Sequence, residues 1–430
     1  MNKKMNIVIV GLGNIGSYFY NYLRKNKNTI FDKTNTIPNI LFVSAKSFNK
    51  KRNFLLPKKI WLKNNLLATK MKDVDVIVEL IGGAEGPAKK LVFEALKNKK
   101  HVVTANKALV AKYGDQLSKI AEKNKVNFEF EAAVCGGIPI IRSIKEGLIA
   151  NRIDKIYGIL NGTSNYILST MDKDNLDYKA SLAQAQKLGY AETNPSSDVN
   201  GDDVASKLKI LAALSFNSFI NNKSILVEGI KNIDHVDINN ANQLGYKIKL
   251  VGVAEYLNNK ITQSVHPAFI KENSYVAKIN GVLNAVIIES NPVGKTVLQG
   301  EGAGPGPTTS SLISDLCSIL RGNVKFPFVL SNKKRKYAIF ENINNKKFSA
   351  YLRLDVKDKN GVLSDVTKVM SENKVSVKRL IQNPTKNKKN ASIVIITHEA
   401  KSSSFSKTLS VLKKKNYVVN IPKIIRIEKI

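Results

Sequence analysis

The run "NIVIVGLGNIGSYFYNYLRK" at residues 6–25 constrains the fold more than any other stretch of this chain. Residues 6–10 are short, apolar and β-branched, the composition of a buried strand. Gly11, Gly13 and Gly16 follow in the spacing Gly-x-Gly-x-x-Gly, and "SYFYNYLRK" then reads as a helix with Tyr18, Phe19 and Tyr22 on one side. Strand, glycine turn and helix in this order form a dinucleotide-binding fingerprint. The glycines let backbone approach a pyrophosphate, and the helix N-terminus offers it partial positive charge. Gly11, Gly13, Asn14, Ile15 and Gly16 are therefore candidate cofactor contacts.

The chain continues with strands at "NILFVSA" (39–45), "VDVIVEL" (74–80), "HVVT" (101–104) and "VNFEFE" (126–131), and a helix lies around 87–98. This alternation predicts a parallel, doubly wound sheet over residues 1–135. After the second strand a dinucleotide enzyme usually carries an acid for the ribose hydroxyls. Here the sequence reads "AKSFNKKR", with Lys46, Lys50, Lys51 and Arg52 and no acid. Such a cluster attracts a 2′-phosphate and favours NADP, with NAD possible. From about residue 150 longer strands and amphipathic helices take over, so 136–300 reads as a second domain. "GEGAGPGPTTSSLISDLCSIL" (300–320) is a glycine-rich loop opening a helix, and 300–330 is expected to complete the first domain. A polar, basic stretch at 331–348 reads as a linker, and 349–430 as a compact βαββαβ unit.

At 430 residues the chain exceeds one ordinary core, and its 43% apolar content is that of a folded protein. No run approaches the roughly 18 apolar residues of a membrane span. Cys135 and Cys317 are too few for a disulfide framework, which points to a reducing cytoplasm. The formal charge of +34 suggests nucleic acid, yet the lysines are spread evenly and form no stripe with interleaved aromatics. Neither nucleic acid nor membrane is an expected partner. Against this basic background, "GYAETNPSSDVNGDDVASKL" (189–208) gathers Glu192, Asp198, Asp202 and Asp203 before Lys207. On spacing alone, Asp203 and Lys207 fit a surface i,i+4 salt bridge as well as a catalytic pair.

Four segments together resemble homoserine dehydrogenase: "GLGNIG", "TANKAL" (104–109), "EAAVCGGIPII" (131–141), and "NGTSNYIL" (161–168) followed by the acidic stretch. The C-terminal unit, with "YLRLDVKDKNGVLSDVTKVM", resembles an ACT domain. The resemblance implies a Rossmann domain, an α+β catalytic and dimerisation domain, and an amino-acid-sensing module. It implies interconversion of L-aspartate 4-semialdehyde and L-homoserine with NAD(P)H, in the biosynthesis of threonine, methionine and isoleucine. By the family's pattern, Lys207, Asp203 and Lys107 are catalytic, while Glu192, Asp198, Thr163, Tyr190 and Gly162 bind substrate. Lys46, Thr104, Lys107 and Gly302 join the glycine turn around the cofactor. The carbonyls of Glu131, Val134, Gly136 and Ile138 hold a monovalent cation, sodium or potassium. The family further implies threonine as effector and a homodimer or homotetramer. Two rival readings are an aspartate-semialdehyde dehydrogenase using Cys135 as thiolate, and a non-catalytic amino-acid sensor that keeps the ACT unit.

Overall fold

The computed structural model describes residues 3–221, 225–341, 343–385 and 389–430. The N-terminal sheet is parallel, with order β2-β1-β3-β4-β5. Its strands are β1 (Lys4–Val10), β2 (Ile37–Ser44), β3 (Val76–Glu79), β4 (His101–Thr104) and β5 (Phe128–Glu129). Helices cover both faces, so Ile7, Ile9, Val76 and Val78 pack on one side and Val8, Ile77 and Val102 on the other. That is why these strands read as continuous apolar runs rather than alternating ones. The glycine turn is enforced sterically. Gly11 has φ 108°, and a Cβ there would stand 2.3 Å from the Leu80 carbonyl oxygen; one at Gly16 would stand 1.9 Å from that of Gly11. The helix Pro305–Leu320 returns to this sheet, where Leu312, Leu316, Ile319 and Leu320 pack against Ile7, Ile9 and Phe19.

The second sheet continues through two domains. Its main path is β11-β10-β6-β8-β9-β17-β13-β15-β14. The catalytic part comprises β6 (Arg152–Ile159), β8 (Tyr246–Leu257), β9 (Lys260–Lys271), β10 (Leu283–Asn291) and β11 (Gly294–Glu301). Both faces are again buried. On β8, Ile248, Leu250 and Ala254 join the helix-side core, while Val251 and Val253 join a cluster on the opposite face with Ile279 and Ile287. The C-terminal part comprises β13 (Lys347–Lys357), β14 (Val377–Pro384), β15 (Asn390–Thr397) and β17 (Lys423–Glu428). The helices Val362–Glu372 and Ser402–Leu412 lie on one face, against Ala350, Leu352, Leu354 and Val356.

The outer edge of β9 is covered by three separate pieces of chain, each parallel to it. These are β12 (Ile339–Phe340) at Lys260 and Ile261, β7 (Leu226–Val227) at Ser264 and Val265, and β17 at Ala268 to Ile270. The short strand β16 (Ala400–Lys401) pairs instead with β13. Side chains reinforce the junction of the two domains. Arg353 Nε donates to Asp237 at 2.8 Å, and its other nitrogens reach Asp234 and Asp355. Tyr351 also donates to Asp237, at 2.9 Å. His266 Nε2 meets Glu428 Oε1 at 2.9 Å.

Within the stretch 331–348, expected as a linker, Arg335 and Phe348 are buried. Arg335 is 5% exposed, its guanidinium 4.0 Å from the Phe328 ring centroid and bonded to Asp115 at 2.7 Å and to the Ser218 carbonyl at 2.6 Å. Buried arginine must find such partners, and a count of basic residues does not reveal that it has them.

Candidate functional site

The two sheets meet over a cavity of about 530 Å³. The helix Asp202–Ser215 points the first two turns of its inner face into it, which places Asp203 and Lys207 there, 4% and 7% exposed. Lys107 arrives from the other domain as the first residue of the helix Lys107–Asn124, whose preceding Asn106 accepts from Leu109 N. Asp203 joins the two ammonium groups: Oδ1 lies 2.8 Å from Lys107 Nζ, and Oδ2 lies 2.7 Å from Lys207 Nζ. Burial alone would push Asp203 up. Lys207 and Lys107 outweigh it and hold the carboxyl well below the usual range. For Lys207 burial acts to lower the pKa, but Asp203 prevails and raises it, so the ammonium stays charged. Lys207 also donates to the Leu160 carbonyl at 2.6 Å.

Asn161 completes the arrangement. Its Nδ2 donates to Asp203 at 2.8 Å and to Asp198 at 2.7 Å, while its Oδ1 caps the helix Gly162–Asp174 by accepting from Ser164 N. Burial, with Asp203 nearby, raises Asp198. Gly162, Thr163 and Tyr190 line the same cavity, and Thr163 Oγ1 donates to the Tyr190 carbonyl at 2.6 Å. Glu192 is not among the lining residues. It sits exposed on the following loop, where its carbonyl accepts from Gln186.

On the cofactor side, Ile15, Lys107 and Gly302 line this cavity, and Gly13 and Asn14 line an adjoining one of about 350 Å³. A Cβ at Gly13 would meet nothing within 4 Å, so a dinucleotide can lie close to the backbone there. Lys50, Lys51 and Arg52 line the adjoining cavity, whereas Lys46 is exposed outside it. Arg52 bonds the carbonyls of Ser47, Phe48 and Lys50, so its guanidinium closes the loop that presents the two lysines. Thr104 is fully buried, and its hydroxyl donates to Glu79 Oε2 at 2.6 Å. Glu79 Oε1 in turn accepts from the amides of Ile81 and Gly82. Glu79 thus shapes the turn after β3. An acid inside "VDVIVEL" is the sequence signal that could have flagged it.

The Glu131 carboxylate accepts from Ile141 N and Arg142 N, and its carbonyl accepts from Val134 N. The Gly136 carbonyl accepts from Ser311 Oγ at 2.5 Å, and that of Ile138 from Ile140 N. Each carbonyl oxygen keeps a second lone pair, so this neutral, hard donor set fits a monovalent cation. Among the described residues, no group of three His, Cys, Asp or Glu side chains could hold a metal ion. Cys135 lines the catalytic cavity, but burial pushes its thiol up, the opposite of what a nucleophilic thiolate needs. No described helix is long and apolar enough to cross a membrane.

A glycine turn opening a parallel sheet, beside a carboxylate that pairs one lysine from each domain, defines a nicotinamide-dependent oxidoreductase carrying an appended α/β module. Residues 11–131 match the NAD-binding domain of homoserine dehydrogenase, 139–317 homoserine dehydrogenase itself, and 350–416 the ACT domain. The homoserine dehydrogenase of Neisseria gonorrhoeae is 39% identical, over 92% of this chain and 92% of its own length. That of Bacillus subtilis is 37% identical over 99% of each. The structure of a homoserine dehydrogenase from Thiobacillus denitrificans superposes with a TM-score of 0.93 at 34% identity, covering 99% of this chain and 98% of that one. The chain belongs to the homoserine dehydrogenase family.

Proposed function

We propose that Lys207, Asp203 and Lys107 carry the interconversion of L-aspartate 4-semialdehyde and L-homoserine in this chain. The observation that supports this most is the buried Asp203 carboxylate, which holds a lysine from each domain at 2.8 and 2.7 Å. The bound nicotinamide supplies or accepts the hydride. As the aldehyde oxygen becomes an alkoxide, it needs a nearby cation or proton donor. Two of the three N–H bonds of Lys207 are committed, to Asp203 and to Leu160, and they aim the third. Asp203 keeps Lys207 protonated and fixes the gap between the two lysines. Asp198, Thr163, Tyr190 and Gly162 form the wall that receives the substrate's polar head. Glu192, two residues beyond the cavity wall at Tyr190, reaches its ammonium group by a movement of the exposed loop.

NADP is preferred over NAD because Lys50 and Lys51 stand where an acid would repel a 2′-phosphate, and Lys46 adds to the same field. Sodium or potassium sits on the carbonyls of Glu131, Val134, Gly136 and Ile138, tying that loop into a fixed shape. The ACT module binds threonine near the turn at Asp358–Gly361, and the enzyme works in the cytoplasm as a homodimer or homotetramer. Among the described residues no strand pairs with the outer side of β14, which supports that edge as the contact between copies.

Homoserine-dependent reduction of NADP and of NAD, measured in parallel, tests the activity; no turnover with either would overturn it. Titrating threonine against the full chain tests the sensing role, and activity unchanged at saturating threonine would overturn it.

A further inference from the structure

We propose that Lys249, on β8 and outside the catalytic cavity, is a positioning residue that holds the substrate-facing wall at Val282 in place. The inference rests on reading the 530 Å³ cavity as the substrate pocket. Lys249 is 3% exposed and meets neutral oxygens: the Ile279 carbonyl at 2.6 Å, Asn280 Oδ1 at 2.9 Å and Asn165 Oδ1 at 3.3 Å. Asn165 is itself 1% exposed, and its Nδ2 faces the inside of the same turn. The carbonyls of Ile279, Gly281 and Leu283 lie 3.2, 3.0 and 3.3 Å from it. One ammonium and one amide therefore hold the whole segment 279–283.

That segment is a wall of the site. Val282 lines the cavity, and its carbonyl passes so close to Gly162 that a Cβ there would stand 2.5 Å away. Gly162 and Thr163, at the start of the helix carrying Asn165, line the cavity too. Lys249 thus ties together the two chain segments that meet across the pocket. Burial pulls its amine down to about 8, offset only in part by Asp172, which pairs directly with Lys247 at 2.7 Å. A methionine would fill such a place without a buried charge to solvate. Lysine suits it because only a cation with several N–H bonds gathers three oxygens from two segments at one point.

The test is steady-state kinetics of Lys249→Met in the full chain. Misplacement of a binding wall raises KM for homoserine by about tenfold or more, while kcat changes by less than about threefold and KM for NADP is unchanged. The exposed variant Asn280→Ala, which removes one acceptor, should raise the same KM by about two- to threefold. A folded Lys249→Met enzyme with wild-type KM would overturn the proposal, and so would a collapse of kcat at unchanged KM. If Lys249→Met does not fold, a wild-type KM in Asn280→Ala overturns it and a raised KM supports it. Absence of homoserine turnover in the wild-type enzyme would refute the reading of the cavity instead.

Discussion

Replacing Asp203 by asparagine tests the centre of the site. At 2.7 Å, with an effective dielectric constant of about 20, its attraction for Lys207 amounts to about 6 kcal/mol. Lys207 is 7% exposed, so in the variant burial is left largely unopposed and pulls the amine down. A lysine that gives up its proton more readily supports an alkoxide less well. We expect kcat to fall by about 10²–10³ at neutral pH, with cofactor affinity changing little. Because the missing species is the ammonium form, activity should return in part as pH falls, where the wild type shows no such gain. The assay is aspartate 4-semialdehyde-dependent oxidation of NADPH across pH, with a cofactor titration as the check on folding. A variant keeping more than about a third of kcat at neutral pH, or one equally impaired at every pH, would refute the coupling.

Changing Lys50 and Lys51 together to glutamate should lower kcat/KM for NADP by about tenfold or more relative to NAD, and an unchanged ratio would remove the role given to that loop. Lys46→Glu alone should change it less, since Lys46 lies outside the adjoining cavity. Arg353→Met leaves Asp237 buried without its cation and should cost about 3–5 kcal/mol, read as a drop in unfolding midpoint. A drop confined to surface-pair size, under about 1 kcal/mol, would show that the domain junction does not depend on it. Burial tends to raise Glu428, but its hydrogen bond from His266 holds it at about 2 instead of 4.5. Burial pushes His266 down. A carboxyl depressed in this way stabilises the fold above pH 4.5, and that contribution is lost as pH falls through about 2. The stability advantage of wild type over Glu428→Gln should reach up to about 3 kcal/mol near pH 6 and shrink below about pH 4. A constant gap would contradict this.

The parallel sheet was legible because "NIVIV" and "GLGNIG" each carry their own constraint, one of burial and one of steric closeness. The i,i+4 spacing of Asp203 and Lys207 was visible too, but not their burial, which depends on a helix packing over two domains. Asn161 was hidden because a capping asparagine looks the same whether or not its amide bridges two acids. Lys46 and Glu192 drew attention by charge, yet loop geometry sets them outside the cavities while Lys50 and Lys51 line one. The packing of Arg335 and the pairing of β17 with β9 depend on contacts between residues about 115 and 160 positions apart, which local pattern does not encode.

The covering of β9 has a consequence for biosynthesis. Its edge at Ala268 to Ile270 is met by Arg426 to Glu428, which leave the ribosome long afterwards. At about 5–20 residues per second, the interval is roughly ten to thirty seconds. Throughout it, a hydrophobic strand with unpaired N–H and C=O groups stands ready to template a neighbouring chain. The nascent polypeptide therefore passes through a sticky stage that ends only when β17 emerges. Premature termination anywhere in the ACT module would leave that stage permanent, so truncated products should accumulate as aggregates or be cleared by proteolysis even where the catalytic residues are all present.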